Sequence, residues 1–534
     1  MRAATTVLLA ALASNGCAGA GFPDVVDARQ LMTPFGAPRI SRIRDAGGPS
    51  IPESGAWQGE PDGVAVPGEL LVIEGDNFGR LPTVSIGGRA TTIVARTEGG
   101  GIIARVPTGV PVGDASVVVS QPRGRAQKTF PMRRYAVVAH AGQVHVLSVD
   151  RDSASVIGKP LTVAGAHDVR ITGDGAAAYV IASRGDGDWL VAIDLCAPGG
   201  PRVASEKKLP HHGALLSSAM DAPVTAIVGD GEVTLLQTRH ARAPALFEPM
   251  DLPLGAKAPR AIELSPDGKL LALLVGEGNR LLALDVSSPP AADVVTAVDL
   301  LPDQKLSLVR DLAFSSDGET LWIVSGDNAA SLPALQPTRL TALRILAPTG
   351  DAAPPPTKVK ERLLSVWRTQ SVPGAAAPIH IAVARGQPLA SGTTIRMPPE
   401  KAAVFVSSLN DALFKLGELD LATATGGKKA LQLWHPPEPG IMVRADINGG
   451  GGPLFTTREI LSSIDLTPDA QLIVATAARV TSRPDITGGL QLDFGVSFAP
   501  IFKTGVAPLF LPLAPLDEKM LKPPFHLGAL RIQP

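Results

Sequence analysis

Apolar residues occur along this chain in short runs that are separated by turn residues. Between residues 69 and 120 the runs are ELLVIE, TVSI, ATTIVA, IIARV and ASVVVS. Runs of this length that are rich in Val, Ile and Thr and bounded by Gly, Pro, Asn or Asp are typical of β-strands. Several such strands in close succession predict a small antiparallel sandwich.

The stretch 61–130 resembles the IPT/TIG family of immunoglobulin-like domains. The resemblance rests on GELLVIEGDNFG, PTVSIGG, ATTIVA and VPTGVPVGDASVVV, with matching residues Gly75, Asn77, Phe78, Gly79, Gly87, Gly88, Pro107 and Gly113. It implies an immunoglobulin-like domain over residues 60–133, used as a spacer or binding module, with no catalytic residue to carry over. Gly75 and Gly79 are expected to permit a sharp corner, and Phe78 is expected to fill the core.

A second pattern repeats from residue 134 to the end of the chain. The related segments are HDVRITGDG (167–175), RAIELSPDG (260–268), RDLAFSSDG (310–318) and SIDLTPDA (463–470). Each is followed by an apolar strand and then by a third strand. Self-similar units of this kind predict a radial repeat of small sheets.

The repeat resembles YVTN/WD-like β-propellers, whose blades contain an SPDG hairpin. The first unit, 135–150, lacks a first strand, whereas FHLGALRI (525–532) is a lone strand of the missing type. We therefore predict a propeller over residues 134–534 that the C-terminal strand closes. Seven blades are expected, with six and eight as alternatives. Residues 347–377 and 425–453 are interpreted as insertions. The complete fold class is all-β, a small sandwich followed by a propeller.

The N-terminal residues 1–20 have the layout of a secretory signal: one basic residue, a short apolar stretch and then small residues. Ser14 to Cys17 resembles a bacterial lipobox, although Ser14 stands where that motif prefers Leu. Processing there would make Cys17 a lipidated N-terminus, and cleavage after Ala20 is the alternative. Polar residues 21–59 are interpreted as a tether. The expected location is the outer membrane or cell surface, or otherwise the periplasm or medium, with no transmembrane helix.

Charge and composition narrow the class of partner. The formal net charge is -1 and aromatic residues make up 4% of the chain, so a nucleic-acid partner is not expected. Cys196 is the one cysteine besides Cys17, and we interpret it as a small apolar residue. No motif indicates a cofactor, a catalytic residue or a metal site.

The Asp-Gly turns suggest two kinds of candidate chemistry. Asp267 provides one carboxylate, and a calcium loop needs several closely spaced oxygens, so Asp267 is interpreted as part of a turn. The innermost strands of a propeller line its central channel, and a polar ring is expected at one mouth of that channel. Its members lie six or seven positions before each turn Asp, or at the matching starts of other innermost strands. This candidate ligand ring consists of His167, Asp168, His212, Arg260, Arg310, Asp311 and His380. A solvated rim, or hydrogen bonding between blades, is the simpler interpretation.

Two functions follow from this interpretation. The sequence favours an exported protein without enzymatic activity that binds an envelope protein, a surface protein or a small ligand. The alternative is a propeller hydrolase, lactonase-like, with a site at the channel mouth. The two are distinguished by whether the ring residues converge in one pocket or pair between blades.

Overall fold

The structure is a computed structural model. The residues it describes are 36–46, 63–150, 153–197, 199–213, 215–238, 244–252, 259, 261–275, 280–288, 291–299, 307–314, 318, 320–327, 338–346, 363–372, 378–383, 401–408, 414–420, 433–434, 460–467, 472–482, 490–500, 509–516 and 529–534. All regular elements in these ranges are strands, which confirms the all-β fold class. None of the described ranges contains a helix with the length and apolar character needed to cross a membrane. Cys17 lies outside these residues.

The first eight strands form two four-stranded antiparallel sheets. Their bounds are β1 (Arg39–Asp45), β2 (Leu70–Asp76), β3 (Thr83–Ile86), β4 (Arg89–Thr91), β5 (Ile93–Arg96), β6 (Ile102–Arg105), β7 (Gly113–Gln121) and β8 (Gly124–Met132). The sheet orders are β1-β2-β6-β5 and β4-β3-β7-β8. The two sheets share one apolar cluster, to which Phe78 contributes as predicted. The described segment is therefore a two-layer sandwich.

Strand β1 corrects the predicted tether, because residues 39–45 pair with β2 in the first sandwich sheet. A β-bulge between Ile40 and Arg42 interrupts the register. The bulge adds a residue, so apolar Ile40 and Ile43 are three positions apart rather than two. The strict alternation that identifies a strand is therefore lost in β1.

Gly75, near the C-terminal end of β2, lies very close to the backbone of β1. A Cβ on Gly75 would lie 1.9 Å from the carbonyl oxygen of Arg39, so only glycine fits at this position.

The remaining strands follow from residue 134. The bounds in the first half are β9 (Arg134–His140), β10 (Gln143–Val149), β11 (Ala154–Val156), β12 (Leu161–Thr162), β13 (Ala166–Ile171), β14 (Ala177–Arg184), β15 (Gly187–Asp194), β16 (Arg202–Lys208), β17 (Leu215–Ser218), β18 (Val224–Gly229), β19 (Glu232–Gln237), β20 (Ala245–Leu246), β21 (Met250–Asp251), β22 (Ala261–Leu264), β23 (Leu270–Val275), β24 (Arg280–Ser288) and β25 (Ala291–Asp299). The bounds in the second half are β26 (Ser307–Phe314), β27 (Thr320–Asp327), β28 (Thr338–Leu346), β29 (Leu363–Val372), β30 (Pro378–Val383), β31 (Lys401–Ser408), β32 (Phe414–Asp420), β33 (Leu433–Trp434), β34 (Ile460–Leu466), β35 (Leu472–Ser482), β36 (Leu490–Pro500), β37 (Leu509–Pro515) and β38 (Ala529–Ile532).

In the described ranges these strands form seven antiparallel sheets, called here the first to the seventh propeller sheet. Their orders are β38-β9-β10-β11, β13-β14-β15-β16, β17-β18-β19-β20, β22-β23-β24-β25, β26-β27-β28-β29, β30-β31-β32-β33 and β34-β35-β36-β37. In addition, β12 pairs with β10 and β21 pairs with β19. Strands that are consecutive in sequence are thus neighbours in each sheet, except that β38 joins the first, β12 pairs with β10 and β21 pairs with β19.

One strand of each sheet faces the centre of the ring. We call these the inner strands: β38, β13, β17, β22, β26, β30 and β34. Each contacts the inner strands of its two neighbouring sheets, and the order closes because β34 contacts β38 and β38 contacts β13. Radially arranged antiparallel sheets that close on themselves constitute a β-propeller. The C-terminal strand β38 pairs with β9, the arrangement that the sequence predicts.

Apolar packing between neighbouring sheets explains the long apolar runs of the second strands. All six residues of β23 are buried. Leu271 and Leu273 pack in a cluster with the third propeller sheet, whereas Leu270 and Leu274 pack in a cluster with the fifth. Successive side chains of a strand point to opposite faces, and here each face is covered by a neighbouring sheet. The run LLALLV is therefore apolar without alternation.

Two predicted insertions contain strands. β29 lies within 347–377 and is the fourth strand of the fifth propeller sheet, and β33 lies within 425–453 and pairs with β32. An outermost strand has one neighbour and carries no turn motif, so its sequence is weakly constrained. That explains why these segments were interpreted as insertions and not as parts of the repeat.

The turn between β22 and β23 uses Asp267 as a structural residue, as predicted. The Asp267 carboxylate accepts hydrogen bonds from the Ser265 hydroxyl at 2.6 Å and the Lys269 amide at 3.2 Å. Gly268 has φ +71° and donates its amide to the Ser265 carbonyl oxygen at 2.8 Å. Asp174 accepts from Thr172 and Ala176 in the same way. These carboxylates fix the turns of the repeat.

The sandwich is joined to the first and second propeller sheets by buried contacts. Val66 packs in the same apolar cluster as Cys196, and the Cys196 thiol lies 3.7 Å from the Pro67 carbonyl oxygen. The fully buried Arg134 donates to the Val110 carbonyl oxygen at 2.7 Å. Within the propeller, Gln533 donates its side-chain amide to the Gly175 carbonyl oxygen at 2.7 Å. Burial raises the pKa of the Cys196 thiol, which agrees with the predicted structural role of that residue.

Candidate functional site

The predicted ring residues lie where the inner strands are irregular. A β-bulge falls between Ala166 and Asp168 in β13, and β26 and β30 contain bulges at corresponding places. A bulge redirects the side chains around it, so successive residues no longer alternate between the channel and the sheet face. Counting positions back from the turn therefore does not identify which residues face the channel.

Asp168 is engaged in hydrogen bonds between neighbouring sheets. Its carboxylate accepts the amide of Val169 at 2.8 Å and, across the sheet boundary, the amide of Leu216 in β17 at 2.8 Å. The Asp168 residue is buried, 8% exposed, and its Oδ1 lies 3.6 Å from Nη1 of Arg170. This geometry links the second and third propeller sheets through a charge-assisted hydrogen bond.

The same kind of bond recurs around the ring. The Ser217 hydroxyl in β17 accepts the amide of Leu264 in β22 at 2.8 Å. The Asp465 carboxylate in β34 accepts the amide of Ile532 in β38 at 2.9 Å. In each case a polar side chain of one inner strand satisfies an amide of the next inner strand. We call these the inter-sheet hydrogen bonds.

His167 and His212 lie at the boundary between the second and third propeller sheets, which the inter-sheet hydrogen bond of Asp168 also crosses. The Nε2 atom of His167 is 3.3 Å from the Gly213 carbonyl oxygen. His212, whose side chain is 63% exposed, pairs through Nδ1 with the buried carboxylate of Asp188 in β15. The hydrogen bond that His212 donates to the Asp188 carboxylate raises the pKa of His212. The two histidines therefore have different partners from Asp168: His167 contacts the Gly213 carbonyl oxygen and His212 contacts Asp188.

The other ring residues are placed only by backbone register or lie outside the described residues. Arg310 is at the bulge in β26, and Asp311 pairs with Val324. His380 pairs with Ser407 across the sixth propeller sheet. Arg260 lies outside the described residues. A ligand ring made by these residues stays a prediction.

A small cavity of about 10 Å³, room for about one water molecule, opens at the other end of the inner strands, where the turns lie. Its lining comes from the inner strands β13, β17, β22 and β38 and the residues that follow them. The charged and hydroxyl-bearing residues of this lining are Arg170, Ser217, Ser218, Glu263 and Arg531. We call this space the turn-end cavity.

Arg170 and Arg531 occupy equivalent places in adjacent inner strands. Arg170 Nη1 donates to the carbonyl oxygen of the preceding Val169 at 3.2 Å, and Arg531 Nη1 donates to that of the preceding Leu530 at 2.8 Å. Burial, together with repulsion from Arg170, lowers the pKa of Arg531 to about 10, against the opposing effect of nearby carboxylates. The guanidinium group of Arg531 is therefore charged at neutral pH.

The two serine hydroxyl groups that line the turn-end cavity are hydrogen-bonded to neighbouring side chains. The Ser217 hydroxyl donates to Glu263 Oε2 at 3.3 Å, and the Ser218 hydroxyl is 2.8 Å from that of Thr225. In the part of the chain that the structure describes, no group of three or more His, Cys, Asp or Glu side chains could hold a metal ion. The chemistry available in the cavity is therefore hydrogen bonding and charge pairing.

The repeat alignment contains a signal for these residues. Arg170, Glu263 and Asp465 all lie four positions before the turn Asp or its counterpart, in strand positions where an apolar residue would be usual. No bulge lies between these three residues and the turn that follows them. Counting back from the turn Asp therefore gives their positions in the strands correctly. The predicted ring residues lie six or seven positions before the turn Asp, at or beyond the bulges in β13 and β26, and so mark the opposite end of the inner strands.

No protein-family profile and no curated protein matches the chain. Solved structures with similar folds include a protein from Lactobacillus plantarum, at 12% identity over 75% of this chain and 99% of that chain, TM-score 0.44. The β-propeller domain of Swd1 from Myceliophteria thermophila is 11% identical over 62% and 90%, TM-score 0.37. A candidate 6-phosphogluconolactonase from Bacteroides fragilis is 14% identical over 75% and 98%, TM-score 0.38.

At such identities and TM-scores these similarities carry no functional inference. The propeller fold is assigned from the order and closure of the sheets in this chain.

Proposed function

We propose that this is an exported protein of the bacterial envelope or cell surface that acts by binding, without enzymatic activity. In this proposal the sandwich is an IPT/TIG-like module and the seven propeller sheets are the seven blades of an interaction platform. The N-terminal signal layout supports export, and lipidation of Cys17 would anchor the chain to a membrane.

The proposal is carried by one observation: two carboxylates of the inner strands are engaged in hydrogen bonds to neighbouring sheets. Asp168 and Asp465 accept backbone amides of neighbouring inner strands. A general base must be free to accept a proton from a substrate or a water molecule. A carboxylate that satisfies buried amides instead holds two sheets together, and protonating it would weaken those bonds. The arrangement therefore favours a stable platform over a hydrolytic site.

The buried junction between sandwich and propeller supports the same role. Gln533 accepts the Tyr135 amide at 2.7 Å and donates to the Gly175 carbonyl oxygen. The C-terminal end of β38 is thereby tied both to the start of the propeller and to the turn that contacts Pro67. A sandwich fixed to the propeller in this way would hold the platform in one orientation relative to an anchored N-terminus.

Cross-linking in intact cells tests this function. We expect a photo-reactive group at Leu81, a sandwich residue that is 88% exposed, or at the exposed Phe247 of the propeller to capture a discrete partner. The partner identified by mass spectrometry should then bind the purified protein. A Cys17→Ala variant should lose its membrane fraction and its lipid mass. Unchanged partition and mass in that variant would exclude lipid anchoring.

Lactone hydrolysis by the purified protein would contradict this proposal and favour the alternative of a propeller hydrolase. Purified protein is expected to hydrolyse 6-phosphogluconolactone no faster than buffer does. An accelerated rate that an Asp168→Asn substitution abolishes, while the variant stays folded, would show that the propeller is a hydrolase.

A further inference from the structure

The end of the sandwich that lies away from the propeller carries an exposed leucine. Contacts with the propeller are made just before β2 and just before β7, at Pro67 and Val110. The loop of residues 77–82 follows β2, so it lies at the opposite end of that strand. Its Leu81 is 88% exposed, the highest fraction among the large apolar side chains of the described residues.

Hydrogen bonds from neighbouring segments hold this loop in place. Asn77 donates its side-chain amide to the Ala37 carbonyl oxygen at 3.3 Å, and Arg96 Nη2 donates to the Gly79 carbonyl oxygen at 2.7 Å. The exposure of Leu81 is therefore set by a loop that the rest of the sandwich supports. We call this end of the sheets the sandwich tip, which consists of residues 36–39, 76–82, 96–101 and 121–125.

Positive charge accumulates at the sandwich tip. Its exposed arginines are Arg39, Arg80, Arg96, Arg123 and Arg125. The carboxylates of the tip are Asp76 and Glu98, so the arginines outnumber them. Because the formal charge of the whole chain is only -1, the tip is a local concentration of positive charge. Such a surface attracts an anionic partner.

The chain enters the sandwich at this tip. Gly36 is the first described residue, and its carbonyl oxygen accepts the side-chain amide of Gln121 at 3.2 Å. Residues 18–35 separate Gly36 from Cys17. A lipid on Cys17 would therefore bring the tip, and not the propeller, nearest along the chain to the membrane surface, where anionic headgroups lie.

Leu81 distinguishes a membrane from other partners. A nucleic acid would pair with the arginines and leave the leucine in water. A stable protein interface buries about 800 Å² of each partner around an apolar centre, whereas Leu81 is the one exposed large apolar side chain in the described residues of the tip. An apolar side chain with basic neighbours is the combination that binds the interfacial layer of a bilayer.

We propose that the sandwich tip docks on an anionic phospholipid surface. Leu81 enters the boundary between headgroups and acyl chains, and the arginines of the tip bind lipid phosphate groups through charge-assisted hydrogen bonds. The propeller, joined to the other end of the sandwich, then faces away from the membrane. This inference rests on the proposed envelope location and adds a protein surface to the lipid anchor.

Vesicle titration of the purified full chain tests this docking. A Cys17→Ala background removes the lipid. Vesicles of phosphatidylcholine are compared with vesicles of equal parts phosphatidylcholine and phosphatidylglycerol. We expect the anionic vesicles to bind about tenfold more tightly or better, and high salt to weaken them. Leu81→Ser should weaken their binding about tenfold, and Arg80→Gln and Arg125→Gln about fivefold each.

Matched substitutions elsewhere on the surface provide controls. Leu509→Ser, at a leucine of β37 that is 52% exposed, and Arg202→Gln, at an exposed residue of β16, should leave vesicle binding unchanged. An environment-sensitive fluorophore attached through Leu81→Cys should shift its emission to the blue with anionic vesicles. The thiol of Cys196 is buried, so the label reports on the tip.

Three outcomes would overturn the proposal. The two kinds of vesicle could bind equally, or Leu81→Ser could have no more effect than Leu509→Ser. The parent protein could also sediment as a dimer that Leu81→Ser dissociates, which would show that the tip binds a second copy of the chain.

Tip docking and the proposed function can fail separately. Cross-linking from Phe247 reports on the propeller, and the mass of the parent protein reports on lipidation of Cys17, so neither involves the tip. A photo-reactive group at Leu81 is expected to capture phospholipid, and capture of a protein there instead would contradict docking on a membrane.

Discussion

At the scale of single residues, the repeat motif and the polar lining have different roles. The turn residues Asp174 and Asp267 satisfy local amides and hydroxyls, and the sequence was sufficient to predict that role. The residues that line the turn-end cavity were not predicted. They lie on short inner strands in which polar and apolar residues alternate. Sequence alone did not indicate which polar positions face solvent, a neighbouring sheet or a cavity.

Buried His145 should make the protein sensitive to acid. Burial lowers its pKa below the usual value near 6.5, so the unfolded chain takes up this proton before the folded chain does. Its contribution to stability is complete above pH 6.5 and is lost as the pH falls through the lowered folded pKa. The free energy of unfolding of a His145→Leu variant should therefore fall less than that of the parent protein between pH 7.5 and pH 5.

Urea unfolding at the two pH values measures this difference. His167→Leu, at a partly exposed histidine, provides a control for the removal of an imidazole. An equal pH dependence in the parent and in His145→Leu would show that His145 does not limit acid stability.

At the scale of elements, strands with motifs or unbroken alternation were predicted, and edge strands were not. The apolar second strands follow directly from the sequence, because both of their faces are covered. β1 was missed because its bulge breaks the alternation, and β29 and β33 were missed because outermost strands carry no motif. The bulges in β13 and β26 displaced the predicted site. Bulges depend on pairing between strands, which the sequence pattern does not display.

The inter-sheet hydrogen bond of Asp168 should contribute strongly to stability. Replacing Asp168 with Ala leaves the amides of Val169 and Leu216 without their carboxylate acceptor. Each buried unpaired amide costs about 1–3 kcal/mol, so we expect the free energy of unfolding to fall by about 3 kcal/mol. Denaturant titration measures the change.

Asp186→Ala serves as the matched control, because that exposed carboxylate pairs with Lys208 at the surface. The Asp186→Ala substitution should cause no measurable change in the free energy of unfolding. If Asp168→Ala is no more destabilising than Asp186→Ala, the inter-sheet bond does not hold the ring together.

At the scale of the whole molecule, a strand from the end of the chain completes the first propeller sheet. β38 pairs with β9, contributes Leu530 and Ile532 to the core between the first and seventh propeller sheets, and connects through Gln533 to the second. His140 stacks on Phe494 across the same boundary, with ring centroids 3.6 Å apart. Pairing with β38 covers the edge of β9, which could otherwise pair with another molecule.

Deleting residues 529–534 should abolish cooperative unfolding of the propeller, because it uncovers a buried strand and two apolar clusters. A synthetic peptide with the sequence of residues 525–534 should restore a cooperative transition when added in excess. Circular dichroism during thermal unfolding follows both effects. An unchanged midpoint in the deleted protein would contradict closure by β38.

Hydrogen exchange at the amides of Leu216 and Ile532 tests most directly whether inner-strand carboxylates hold the propeller together. These amides donate to Asp168 and Asp465 and not to a ladder carbonyl. We predict protection equal to that of amides in the adjoining strands, with selective loss at Leu216 in Asp168→Asn and at Ile532 in Asp465→Asn. Rapid exchange of both amides in the parent protein would contradict this role and leave the carboxylates free for catalysis.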